Sequence, residues 1–270
     1  VTVKGHRYLG SFIGTEDGKQ EFVRKEMEEW IEDITGLAEI ASAEPQLAYA
    51  AFVYGTSKRW NFLARTTPGI SSLLYRLEYH IKDVFIPAIL GKIHVQDDLR
   101  CVFSLPARMG GLGIGIISET ADLEYANSTM ATQDLVDAIF HQKNVYTEDE
   151  TRQKTIAGMI RKARQEYYSQ YKAELEKKLS PDIRRQLELL SEKGASCWLT
   201  SLPLKEYGFL LNKQEFQDAL SLRYNLVLST LDRPNLCICG QVNTINHCLT
   251  CKLGGYVAPR HDSLNRSEPL

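Results

Sequence analysis

Apolar residues recur at three- and four-residue steps over most of this chain, the spacing that gathers them on one face of a helix. Between Lys19 and Ala43 the set is Met27, Trp30, Ile31, Ile34, Leu37, Ala38 and Ala41, with Glu and Asp in the gaps, so an amphipathic helix is predicted there. Its acidic residues crowd the first turns, where the helix dipole favours negative charge. Pro45 suits the first turn of a second helix, running through Ala48, Ala51 and Phe52 to about Trp60. Pro68-Gly69 breaks the chain, and a third helix follows from Ser71 through Leu74, Leu77 and Ile81 to about Phe85. Residues 87 to 115 read as irregular, interrupted by Gly110, Gly111, Gly113 and Gly115. The helical period returns over residues 151 to 179, with Ile156, Met159, Ile160, Ala163, Tyr167 and Tyr171 on one face and Arg161, Lys162 and Arg164 as a solvated basic cluster. Pro181 opens another helix with Leu187 and Leu190 inward. Asn212 and Glu215 form a capping-box-like start for the helix that carries Phe216, Ala219, Leu220, Tyr224 and Val227.

The first 14 residues behave differently. They are rich in β-formers and punctuated by Gly5, Gly10 and Gly14, as in a short hairpin. A two-stranded hairpin alone is marginal in water, so these strands are expected to complete a sheet begun by chain before Val1. The fold class is therefore mainly α, with a short N-terminal β-hairpin.

Cysteine usage adds a metal module. Six cysteines are too few for a disulfide scaffold in a chain of 270 residues, and four of them fall between Cys237 and Cys251. The spacing Cys237-x-Cys239-x7-His247-x3-Cys251 lets a tight first pair, a loop and a His/Cys pair close around one ion. Thiolates with imidazole suit tetrahedral Zn²⁺. Gly240 directly after Cys239 fits the sharp bend such a turn needs. Four soft ligands leave no open position, which points to a structural ion. Cys248 is set aside because a neighbour of His247 rarely reaches the same ion. Cys101 and Cys197 sit among apolar residues and read as core.

Charge changes the picture through its distribution. The formal net charge is −2, which offers no global argument for nucleic acid. Residues 1 to 50 hold 5 basic and 10 acidic side chains, whereas residues 51 to 120 hold 8 basic and 5 acidic ones. The second block is the surface expected to meet a polyanion. No stretch reads as membrane-spanning or as a membrane anchor, and an intracellular, soluble chain is expected.

Catalytic signatures are missing: there is no His-Glu-x-x-His, Gly-x-Ser-x-Gly or Walker lysine. Asp97-Asp98 lacks the setting of a polymerase carboxylate pair and reads as a solvated loop. The glycines after Pro106 lack the spacing of a P-loop or a dinucleotide turn.

Three segments carry a resemblance. Arg7-Tyr8-Leu9-Gly10 resembles the strand after the catalytic palm in reverse transcriptases of LINE-type, non-long-terminal-repeat retrotransposons. Leu105-Pro106-Ala107-Arg108-Met109-Gly110-Gly111-Leu112-Gly113-Ile114 is similar to the segment downstream of their thumb. The knuckle, with Gly254-Gly255 and Arg260-His261-Asp262 after it, resembles the Cys-Cys-His-Cys module of elements whose polymerase is followed by a restriction-like endonuclease.

The resemblance implies a division into the end of the palm (1–18), a helical thumb-like domain (19–120), a helical connector (121–230) and a knuckle leading into a truncated endonuclease region (231–270). It also implies that the polymerase aspartates with their Mg²⁺, and the endonuclease carboxylates, lie outside this segment. The implied role is non-catalytic: helping to hold RNA and DNA as template and primer, in a parent that acts as an RNA-directed DNA polymerase in the nucleus. Tyr8 would help position the primer end. Lys58, Arg59, Trp60 and Arg65 would lie on a thumb helix, the cations on phosphates and Trp60 free to stack; Arg59 and Trp60 fit ordinary surface and core equally well. Arg108 and Arg260 complete the expected nucleic-acid contacts. The alternative is a zinc-stabilised helical module that binds protein and has no nucleic-acid role.

Overall fold

The computed structural model describes residues 4–91, 94–143, 149–226, 236–242, 244, 247 and 250–253. The chain divides into two compact units, Val1–Leu226 and Val227–Leu270. The expected palm end, the thumb-like domain and nearly all of the connector fall inside the first.

That unit opens with an antiparallel hairpin of β1 (Gly5–Tyr8) and β2 (Ser11–Gly14), in which Tyr8 pairs with Ser11. Leu9 (φ 48°) and Gly10 (φ 83°) make the left-handed turn. The hairpin gains support from two places: the Phe12 ring stacks at 5.5 Å on Phe22 of helix α1 (Glu16–Ala41), and the Ser11 hydroxyl lies 2.9 Å from that of Thr67. Thr15 caps α1, accepting from the Gly18 N–H, so the helix begins three residues before the first predicted position. Val23, Met27, Trp30, Ile34 and Ala41 are its buried stripe.

The predicted second helix runs on past Trp60. It consists of α2 (Pro45–Ala51), a π-helical turn (Phe52–Thr56) and α3 (Ser57–Thr66). The third begins with a 3-10 turn (Ser71–Leu74), continues as α4 (Tyr75–His80), widens into a second π-turn (Ile81–Phe85) and ends as α5 (Ile86–Ile89). Each π-turn sets an aromatic ring inward, and Phe52 and Phe85 stack at 4.4 Å in the centre of the unit.

Two stretches depart from the sequence reading. Residues 87 to 115 contain helix α6 (Asp97–Ser104), whose opening carboxylates Asp97 and Asp98 suit its N-terminus; Asp97 pairs with Lys82 rather than lying in a free loop. Helix α7 (Ile117–Phe140) lacks a strong stripe because, past Ile117 at its start, its buried residues are the small or polar Ser118, Ala121, Asn127 and Ala138. The predicted charged helix is α8 (Glu150–Lys178); Ile156, Ile160, Ala163, Tyr167 and Tyr171 are half-buried along it, and Met159 is exposed. The unit closes with α9 (Pro181–Leu190), α10 (Cys197–Thr200) and α11 (Lys213–Arg223), the last with both hydrogen bonds of the predicted capping box. Cys101 packs against the core, whereas Cys197 is exposed, because α10 turns it outward. Among the described residues no helix is long and apolar enough to cross a membrane.

Two buried arginines fix the glycine-rich segment between α6 and α7. Arg100 is 3% exposed; it chelates Glu78 at 2.6 and 2.8 Å and donates to the Ile114 carbonyl at 2.7 Å. Arg223 donates to Ser196 Oγ at 2.8 Å and to the Gly111 carbonyl at 3.3 Å. The hydroxyls of Tyr49 and Tyr224 donate to the carbonyls of Leu112 and Gly110, at 2.6 and 3.1 Å. Gly111 is required by close approach: a Cβ there would lie 1.9 Å from the Leu105 carbonyl oxygen.

Candidate metal centre and basic cleft

The second unit brings the four predicted ligands together. An antiparallel bridge between Leu236 and Val242 closes the first loop, and the Cys237 N–H donates to the Gln241 carbonyl at 2.9 Å. Gly240 takes the left-handed bend (φ 83°) and donates back to the Cys237 carbonyl at 2.8 Å. This turn aims the Cys237 and Cys239 thiols to one side. The Cys251 N–H donates to the His247 carbonyl at 2.8 Å, across the four-residue step that separates these two ligands. That puts imidazole and thiol on the same face.

The ligand atoms of Cys237, Cys239, His247 and Cys251 all lie within 4.8 Å of one another, so the cluster can hold a metal ion. Cys237 Sγ and Cys251 Sγ are 3.7 Å apart, and Cys239 Sγ is 3.1 Å from His247 Nε2. A tetrahedral centre with metal–sulfur bonds of about 2.3 Å sets its sulfurs about 3.8 Å apart, so the donor set fits and the Cys237–Cys251 pair has the matching separation. The Cys239 backbone N–H pulls the Cys237 thiol down, but burial and the neighbouring sulfurs outweigh it and hold the group above its ordinary value. A cation among the ligands reverses that balance by favouring thiolate. Cys248, Gly254, Gly255, Arg260, His261 and Asp262 lie outside the described residues.

The predicted nucleic-acid residues separate on the first unit. Trp60 is 3% exposed and meets Trp30 edge-on at 5.9 Å, so it is core and cannot stack on a base. Arg59 pairs with Asp33 and Glu29 on the acidic face of α1. Lys58 and Arg65, seven residues apart on α3, lie on another side of the helix, exposed and without an ion-pair or hydrogen-bond partner among the described residues. They line a cleft of about 470 Å³ whose other walls are Gly113 and Gly115 of the glycine-rich segment, the first turns of α7, and Arg164 and Tyr168 of α8. Arg108 is exposed close by, near enough to act electrostatically on Tyr168.

Arg164 belongs to the cluster read from sequence as a solvated face. Here it chelates Glu124 at 2.9 and 2.5 Å, and that carboxylate holds its guanidinium yet more firmly protonated. Burial, with Glu124, pushes the Tyr168 hydroxyl up; Arg164 and Arg108 oppose the shift. Lys58, Arg65 and Arg164 against Glu124 leave the cleft with an excess of positive charge.

Sequence reasoning also passed over Phe62, a cleft residue that is 47% exposed. Its signal was its phase: Trp60, Leu63 and Ala64 are the buried positions of α3, and an aromatic at 62 falls outside that stripe. The β-turn reaches the same place, since a Cβ on Gly10 would stand 3.0 Å from the Phe62 ring. The chain matches no protein family model, no curated protein and no solved structure.

Proposed function

We propose that this chain is a non-catalytic, nucleic-acid-binding segment of a LINE-type reverse transcriptase, serving to hold template and primer. One observation carries the reading. Two of the three segments behind the resemblance, the Arg7–Gly10 turn and the Leu105–Ile114 stretch, lie about a hundred residues apart in sequence and reach one basic cleft, at Phe62 and at Gly113. Lys58 and Arg65 supply unpaired cations where phosphates would run, and Arg164 stands in the same wall with its charge held by Glu124. The bound ion of the second unit is zinc in this reading: three thiolates and one imidazole complete a tetrahedron without a vacancy, so the ion is structural.

Binding to single-stranded or primed RNA tests the role. Two phosphates neutralised in the cleft, by Lys58 and Arg65, give a slope of log affinity against log salt of about −1.4 for a single strand. Affinity unchanged between low and high salt rejects the reading. The alternative, a metal-stabilised module that binds protein, is favoured by an exposed apolar row on α7, Leu135, Val136, Ile139 and Phe140. Retention of random-sequence RNA by the immobilised chain separates the two, since only the first reading expects it.

A further inference from the structure

The cleft has features that bulk phosphate attraction does not require. Phe62 shows 47% of its surface while its neighbours Trp60 and Leu63 are 3% and 2% exposed, so the helix places one ring in the concave wall and sends the others inward. The hairpin tip packs against its edge through Gly10, which fixes the ring. Asn61 stands beside it, half-buried, with an amide that makes no hydrogen bond among the described residues. Cations flank the ring on the same helix: Lys58 precedes it by one turn and Arg65 follows by three residues, about 10 Å apart along the axis.

From this we infer that the cleft seats single-stranded nucleic acid, with Phe62 as the platform for one unstacked base, Asn61 facing that base's edge, and Lys58 and Arg65 on the flanking phosphates. Inside a duplex the base faces are covered by one another, so a ring in a concave wall has a use only for a strand whose bases are free. Size agrees: about 470 Å³ lies in the range of pockets that enclose a small ligand, enough for a nucleotide and too little for a double helix. This rests on the nucleic-acid reading above and narrows it from template and primer in general to an unpaired stretch of either.

The test uses the full chain with a fluorescent 2-aminopurine placed in a short oligonucleotide, offered as single-stranded RNA, as single-stranded DNA of the same sequence, and as a blunt duplex. Phe62→Ala is expected to weaken single-strand binding about tenfold and to abolish the stacking change in fluorescence. Duplex binding should stay within about twofold, and Phe62→Tyr should retain the signal, because a phenol ring still stacks. A preference for the RNA or the DNA strand identifies which of the two the cleft takes. Equal loss of single-strand and duplex binding in Phe62→Ala, or no loss, overturns the inference. Lys58→Gln with Arg65→Gln serves as the control for the broader reading: if that double variant weakens binding while Phe62→Ala does not, only the platform fails; if neither weakens it, both fail.

Discussion

The two units reach stability by opposite routes. Val1–Leu226 buries a continuous apolar core from Val23 to Tyr224, with stacked rings at its centre and arginines bracing its one glycine-rich loop. Among the described residues of the second unit, the apolar side chains Leu236, Ile238, Val242 and Leu253 are exposed, and Cys251 is the one buried group. A segment so short has too little apolar area to offset its chain entropy, and it converges on four ligand atoms instead. In the first unit the basic cleft is a by-product of packing; among the described residues of the second, the ligand cluster is the packing.

The largest effect should therefore come from the metal. Zinc at a site of this type supplies folding free energy on the order of 10 kcal/mol, against a helical body that needs none of it. Chelation, or Cys251→Ser, is expected to unfold residues 236 to 253 while the helices from Glu16 to Ile89 keep their melting transition. Residue-resolved amide exchange reads both regions at once, and joint loss of protection would break the contrast. One zinc per chain, with X-ray absorption showing three sulfurs and one nitrogen and no oxygen, is the matching expectation for the coordination sphere.

Next in size is the body's own weak point. Gly111→Ala forces a Cβ against the Leu105 carbonyl, a clash of backbone with no flexible side chain to yield, and should cost about 3 kcal/mol in urea unfolding. Zinc content should not change. A smaller effect follows from the buried phenols. Burial pushes the Tyr224 hydroxyl up to about 12, against an opposing Arg223, and the half-exposed Tyr167 to about 12 as well. Below about pH 10 both folded and unfolded chains keep these protons and stability has no slope from them. Above it the unfolded chain releases protons that the folded chain holds, so stability falls as pH rises through about 12, by about 1.4 kcal/mol per unit for a fully buried group and less for Tyr167. Urea midpoints taken with the phenolate absorbance across that window check the sign.

The same contrast explains what could be read from sequence. The ligands of the second unit were legible because their spacing alone specifies the turn geometry. The large-residue stripes of α1 and α11 were legible because burial imposes a period. Helix α7 was not, since Ala121 and Ala138 leave no stripe, and α6 was hidden between Pro87 and the glycines. The cleft was half visible. Lys58 and Arg65 stood out as cations in a basic block, but Trp60 shares their helix and only the packing of Trp30 against it shows that it belongs to the core. Arg164 comes from a helix a hundred residues away and is joined to the cleft by tertiary folding, which no local pattern encodes.

The smallest expected change in stability is the most telling for function. Lys58 and Arg65 are exposed, make no ion pair among the described residues and lie off the buried stripe of α3, so nothing in the core depends on them. Lys58→Gln with Arg65→Gln should leave the urea midpoint within about 0.5 kcal/mol of the parent. The same change removes both unpaired cations of the cleft, and the salt slope for a single strand should flatten by about 1.4. Arg59→Gln is the matched control: it deletes a cation from the same helix, but one whose charge is already spent on Asp33 and Glu29. It should leave the slope almost untouched. If Arg59→Gln flattens the slope as much as either cleft substitution, the helix attracts nucleic acid by its total charge, and the separation of a binding face from an α1-facing one is wrong.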